Sequence, residues 1–213
     1  MKHDSQASLV YDEIRRQILI AQLQPGVRLK EDAWAKRMEV SRVAVREALT
    51  RLLGEGLVTA GPRGGYFVTE MSREDIKQIR EVREILELAA IRLGIQKIRK
   101  ENIDELLKIC DDFTMLVARG YMAGACEADI LFHQKLVALS GNARLLKAYH
   151  FSHIPLFHQK IGKTKMYLDD YRLTDKEHRQ LVDALKAKNL PTAEKILRAH
   201  FDRGANAVLE DAG

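Results

Sequence analysis

The stretch that decides the fold runs from Leu29 to Val68 and reads LKEDAWAKRMEVSRVAVREALTRLLGEGLVTAGPRGGYFV. From Arg42 onward, Val45, Leu49, Leu52 and Leu53 form one apolar stripe at helical spacing, while Arg42, Arg46 and Thr50 share another face. Gly54-Glu55-Gly56 ends that helix, and Ser41 is placed to cap its start, where a side-chain oxygen accepts from an amide of the first turn. Residues 30–38 read as a shorter helix around Ala33, Trp34 and Ala35, turning through Glu39 and Val40 into the cap. After Gly56 the period changes. Leu57-Val58-Thr59-Ala60 and Tyr66-Phe67-Val68-Thr69 read as two short strands around the turn Gly61-Pro62-Arg63-Gly64-Gly65. Working back towards the start, Val10, Ile14 and Ile18 mark a helix between Ser8 and Leu23, before Gln24-Pro25-Gly26 breaks the pattern. Three helices and a hairpin make a winged helix-turn-helix, although another small three-helix domain with a hairpin would show the same periodicity.

Beyond Thr69 the chain reads as wholly helical. Ser72 and Asp75 have the spacing of a capping box, and Ile76, Ile79, Val82, Leu86, Ala90 and Leu93 follow at helical intervals. Further helices start near Asn102, run from about Met122 to Ser140, and start again near Asn142, the last passing through Pro155 with a kink. Thr174 and Glu177 read as the cap of a fifth helix, and Leu190-Pro191 separates it from a sixth. The expected architecture is mostly α: a winged helix-turn-helix over residues 1–71 and an all-α bundle of about six helices over residues 72–213.

The 213 residues carry a net charge of +5, spread as +2 over residues 1–72 and +3 over the remainder, so a case for nucleic acid rests on placement of charge. Two cysteines, a polar N-terminus and no apolar run of membrane-spanning length point to a cytoplasmic protein with reduced thiols and no membrane partner. A nucleophile motif such as G-x-S-x-G is missing, which argues against an enzyme.

Val40-Ser41-Arg42, Val45-Arg46-Glu47-Ala48-Leu49, Leu52, Glu55-Gly56-Leu57-Val58 and Gly64-Gly65-x-x-Val68 resemble the DNA-binding domain of GntR-family bacterial transcription regulators. Asp129-x-x-x-His133, Leu139-Ser140-Gly141-Asn142, Glu177-His178 and His200 resemble the FCD effector domain of the FadR subgroup. Two positions depart from the family pattern. Ala44 stands where a proline or threonine is common, and Asp32 where many members have an arginine that reaches the operator.

Arg42 and Arg46, one turn apart, can reach the same short stretch of major groove, with Ser41 and the helix amides favouring a phosphate oxygen. Arg63 and Gly64 at the hairpin tip suit the minor groove or backbone, or simply a tight turn. A single winged domain offers few base contacts, so a homodimer on near-palindromic double-stranded operator DNA is implied.

In the helical part, Asp129 and His133 share a helix face, and His133, His178 and His200 each sit on or beside an inward stripe. His150, His153 and His158 also follow apolar spacing, so it is the resemblance that selects Asp129, His133, His178 and His200 as ligands. Such a set suits a divalent zinc, nickel, iron or manganese ion. The resemblance also places Arg83 opposite an anionic effector, where the alternative is an i+4 surface ion pair with Glu87; Asn142 is either a pocket contact or a helix cap. The expected function is operator binding modulated by a small carboxylate bound near the metal. The alternatives are a metal-responsive repressor and a metal-dependent hydrolase.

Overall fold

The computed structural model describes residues 5–152 and 168–210. Helix α1 (Gln6–Leu19) is capped by the Ser5 side chain and buries Val10, Ile14 and Ile18 completely. It stops four residues short of Leu23, because Ile20 closes the last turn and Ala21 takes a left-handed conformation at φ 56°. Helix α2 (Glu31–Met38) ends at Glu39, also left-handed, and the chain then enters α3 (Arg42–Gly54) through Ser41, whose hydroxyl accepts from the Ala44 amide. The helix-turn-helix thus follows from one left-handed residue and one cap.

The sequence pattern predicts two strands, and among the described residues there are three. Strand β1 (Arg28–Leu29) pairs antiparallel with β3 (Tyr66–Val68), which also pairs with β2 (Val58–Ala60), in the order β1-β3-β2. Leu29 lies opposite Tyr66 and Val58 opposite Val68, so the inner faces of the strands join the core built by Trp34, Val45, Leu49 and Leu52. Between β2 and β3 the wing turns through Gly64 and Gly65, both at positive φ that a side chain would strain.

The remainder is helical: α4 (Arg73–Gly94), a 3₁₀ turn (Ile95–Lys97), α5 (Lys100–Ala118), α6 (Met122–Ala138), α7 (Ala143–Phe151), α8 (Leu168–Lys186) and α9 (Leu190–Glu210). The capping box between Ser72 and Asp75 is complete. Thr174, by contrast, is no cap: α8 already starts at Leu168, and the Thr174 hydroxyl instead accepts from Arg203 on α9. Pro155, His153 and His158 lie outside the described residues. Helix α5 packs on α6 and α8, and α9 packs on α4 and α8, around Phe132, Leu106, Leu136, Leu185 and Leu197.

The two parts share contacts. Ile130 of α6 is buried in the core of the winged part, and Glu127 of the same helix pairs with Arg15 of α1. Among the described residues no helix is long and apolar enough to cross a membrane.

Two glycines test this packing from opposite sides. A Cβ on Gly94 would lie 2.4 Å from the carbonyl oxygen of Leu139, whereas one on Gly54 would meet nothing within 4 Å. Gly94→Ala should therefore lose about 1–3 kcal/mol, by the cost of overpacking against backbone. Gly54→Ala should gain about 0.4–1 kcal/mol through the unfolded chain. Urea denaturation of both variants measures this, and a Gly94→Ala protein as stable as the parent would mean that α4 and the end of α6 are not this close.

Candidate functional site

On the winged part, α3 presents Arg42, Arg46 and Thr50 on an open face shared with Val43 and Arg51. Neither arginine points freely into water. Arg46 grips Glu31 of α2 with two parallel hydrogen bonds, from Nε to Oε1 at 3.2 Å and from Nη2 to Oε2 at 2.9 Å. Arg42 Nε lies 2.8 Å from Oδ1 of Asp32, also on α2. The acidic first turn of α2 thus faces the basic first turn of α3. Ser41 uses its hydroxyl to cap α3, and Arg63 and Gly64 are exposed at the tip of the wing. Sequence reading did not single out Val43, which is 77% exposed on the first turn of α3. An apolar residue left in water at that position is the signal, since a methyl-bearing side chain there suits a thymine methyl group.

The second constellation lies inside the helical part. Asp129 and His133 come from α6, His178 from α8 and His200 from α9, and their ligand-type atoms all lie within 4.8 Å of one another. The three imidazole rings form a nearly equilateral triangle with centroids 5.1, 5.1 and 5.0 Å apart. Asp129 Oδ1 is 3.3 Å from His178 Nε2 and 3.9 Å from His133 Nε2. Phe132 stacks flat on His178 at 4.0 Å and holds that ring against the core.

Each outer nitrogen that can be assigned is held by a carboxylate. His133 Nδ1 lies 2.6 Å from Glu87 Oε2, and His200 Nδ1 lies 2.8 Å from Glu177 Oε2. A carboxylate accepts, so Nδ1 carries the proton in both rings and Nε2 presents its lone pair to the centre. Glu87 and Glu177 are the residues that sequence reading missed in this role. The spacing held a signal for Glu87, which follows Ile76 by eleven residues and precedes Ile91 by four, on the buried stripe of α4.

Arg83 also changes character in the structure. Its ion pair with Glu87, Nε to Oε1 at 2.8 Å, is not at the surface: the side chains are 2% and 0% exposed. Its guanidinium carbon stands 5.0 Å above the ring of Phe201, and the Tyr149 hydroxyl donates to the same Glu87 oxygen, Oε1, at 3.0 Å. Asn142 is exposed and accepts from the amides of Arg144 and Leu145, which makes it the cap of α7; its side chain is not part of the cluster. His150 is likewise exposed on α7 and outside the cluster.

Electrostatics prepares the centre for a cation. Burial, then Arg83 and the neighbouring histidines, pushes His133 and His178 well below the ordinary imidazole range, so both are neutral at pH 7. Burial alone would raise Glu177, but hydrogen bonds from His200 and Arg203 outweigh it and bring it down to about 2. Burial raises Glu87 against the pull of Arg83. The Nε2 atoms of His133 and His178 are buried and accept no hydrogen bond among the described residues. Buried lone pairs without a donor cost free energy, and ligand bonds of about 2.0–2.2 Å to one ion would satisfy them after a small inward shift. The donor set therefore fits a divalent ion.

A winged helix-turn-helix with a basic face on α3, joined to a helical domain built round a buried polar cluster, defines the class of two-domain DNA-binding regulators. The comparisons agree. Residues 6–68 match the model of the bacterial regulatory proteins of the gntR family, and residues 78–203 match the FCD domain. The chain belongs to the GntR family and carries an FCD domain. It is 28% identical over 200 residues to the transcriptional regulator YdhC of Bacillus subtilis, covering 90% of this chain and 86% of YdhC. It is also 28% identical over 210 residues to LutR of the same organism, covering 84% of this chain and 90% of LutR. Among solved structures, McbR of Escherichia coli superposes with a TM-score of 0.83 at 21% identity, over 99% of this chain and 100% of that one. These relatives are transcription regulators, and the chain is one too, not an enzyme.

The buried ion pair yields a stability prediction. Glu87→Ala removes the buried carboxylate that Arg83, His133 and Tyr149 share, and should cost about 3–5 kcal/mol, while the double variant Arg83→Met/Glu87→Leu should recover only part of that loss, because His133 Nδ1 and the Tyr149 hydroxyl still lack their acceptor. Chemical denaturation of metal-free protein measures both, and a Glu87→Ala variant within 1 kcal/mol of the parent, on the order of a surface substitution, would contradict the buried geometry.

Proposed function

We propose that this regulator binds a near-palindromic operator in the cytoplasm as a homodimer, and that a small carboxylate bound beside a divalent ion in the FCD domain changes its operator affinity. Residues 1–71 are the reading unit and residues 72–213 the sensing and dimerising unit. The observation that carries the sensing half is the pair of buried imidazole nitrogens, Nε2 of His133 and of His178, that have no hydrogen-bond partner among the described residues. Asp129, His133, His178 and His200 would hold the ion, whose chemistry is to supply positive charge and open coordination positions.

Charge balance favours an anionic effector. Arg83 offsets Glu87, Arg203 offsets Glu177, and His133 and His178 are neutral, so among the described ligand-type residues Asp129 supplies one negative charge against a doubly charged ion. A net positive centre in a poorly solvated interior is completed by a carboxylate. The centre can also communicate with the DNA. Helix α6 carries Asp129 and His133 to the cluster while Ile130 and Glu127 of the same helix contact the winged part. Helix α4, which carries Arg83 and Glu87, follows the wing directly through the Ser72 cap. Val82, Ile85 and Leu93 leave an exposed apolar stripe along α4, which supports dimerisation through the helical domain.

On the reading side, Arg42, Arg46 and Ser41 would meet the major groove and its phosphates, and Arg63 and Gly64 the adjoining groove or backbone. Arg42→Ala or Arg46→Ala should weaken operator binding, by about 1–3 kcal/mol for a lost base contact or by lowering the salt slope by about one for a lost phosphate contact. Titration of a selected duplex at two salt concentrations distinguishes the two, and unchanged affinity in both variants would remove α3 from the interface.

On the sensing side, purified protein should carry about one divalent ion per chain, and His133→Ala, His178→Ala or His200→Ala should each reduce retention, whereas His150→Ala should not. The same three variants should lose the response to a panel of small carboxylic acids more than basal DNA binding. Metal analysis and DNA titration on one set of preparations decide this. Full occupancy in all three variants would exclude the quartet as the site, and DNA affinity that follows metal but no acid would make the metal itself the signal.

A further inference from the structure

We propose that Asp32 is a specificity-determining residue of the DNA interface, its carboxylate steering the Arg42 guanidinium so that the outer end of the fork meets a guanine edge. The inference rests on the reading that α3 enters the major groove. Asp32 is in the first turn of α2 and Arg42 in the first turn of α3, and the tight turn at Glu39 brings the two helix starts side by side. The closest approach is at Nε, 2.8 Å from Oδ1. A carboxylate at Nε leaves the Nη1–Nη2 end of the planar group for a base, and the two parallel N–H groups there can fork onto O6 and N7 of guanine. Arg46 is held differently, because Glu31 takes both its Nε and an Nη atom. Arg42 is thus the better presented of the two for a base edge.

The pair has little reason to exist for the fold. Asp32 and Arg42 are 72% and 62% exposed, and ion pairs that open to water add little stability. Orientation is another matter. A long arginine in water samples many rotamers, and a neighbouring carboxylate that narrows them lowers the ordering cost of a directed contact. The same carboxylate stands near the phosphates of any duplex and repels them regardless of sequence. Steering strengthens the right site while repulsion weakens every site, so both raise the ratio of specific to non-specific binding.

The two effects separate in Asp32→Asn, which removes the charge and keeps the size. The full-length protein and its Asp32→Asn, Arg42→Lys and Arg42→Ala variants are used to select duplexes from a randomised DNA library, and a scrambled duplex of the same length measures non-specific affinity. Wild type should demand guanine at one position of each half-site. In Asp32→Asn that demand should fall by about fivefold or more, the low end of what a forked contact confers, with other positions retained and the scrambled duplex bound equally or more tightly. Arg42→Lys, which keeps the charge and loses the fork, should lose the same position. If Asp32→Asn keeps its guanine and tightens on all duplexes alike, Asp32 only repels and the proposal is overturned. If Arg42→Ala itself selects the wild-type motif, the recognition-helix reading fails first.

Discussion

The Glu87 carboxylate has no access to water, and three groups from three helices have to satisfy it. Arg83 donates from its own helix α4, the imidazole of His133 from α6 and the hydroxyl of Tyr149 from α7. A buried carboxylate that loses a donor is costly, so these helices cannot slide independently. The proton that His133 spends on Glu87 fixes its tautomer, and this turns the other nitrogen towards His178 and His200. Ligand geometry in the cluster thus follows from an ion pair that is not itself a ligand.

The same device appears at both ends of the molecule with different burial. Carboxylates orient a nitrogen-bearing side chain at Glu87–His133, Glu177–His200, Glu31–Arg46 and Asp32–Arg42. In the FCD domain the Glu87 pair is closed to water and hard to exchange, so the cluster beside it keeps its shape. On α3 the arginines are 62% and 64% exposed, so their outer nitrogens stay open to a phosphate or a base while the carboxylates hold the inner ones. A closed cluster and an open helix face follow from solvent access alone.

Much of this was legible in the sequence where local signals coincide. Ser41 and Gly54 bound α3 as read, and Ser72 with Asp75 starts α4 as read, because caps and apolar period agree there. Strand β1 was not legible: two residues, Arg28 and Leu29, are too few to show alternation, and their pairing with β3 is a tertiary fact. Thr174 was misread because a threonine three residues before a glutamate looks like a cap wherever it falls, and here α8 had begun six residues earlier, at Leu168. The four cluster residues were legible through family resemblance and not through spacing, since His150 sits on an equally regular pattern yet lies exposed. The exchange of Asp32 for the family's arginine was visible. That the carboxylate would sit against Arg42 was not, because it depends on the angle between two helices.

Helix α6 links the polar cluster to the winged part directly. Successive residues of an α-helix are set about 100° apart, so Ile130 projects from α6 on the face adjoining that of Asp129 and His133. Ile130 is closed inside the core of the winged part, and Ile130 and Gln134 line a cleft there with Tyr11, Arg15 and Glu55. Tyr149, the donor to Glu87, lines that same cleft. A rotation of α6 that draws Asp129 and His133 towards a common centre therefore moves Ile130 against α1. Close-packed cores resist deformation, so a rotation of α6 would have to be taken up by α1. Because α1 packs directly on α3, that displacement would reach the helix that carries Arg42 and Arg46.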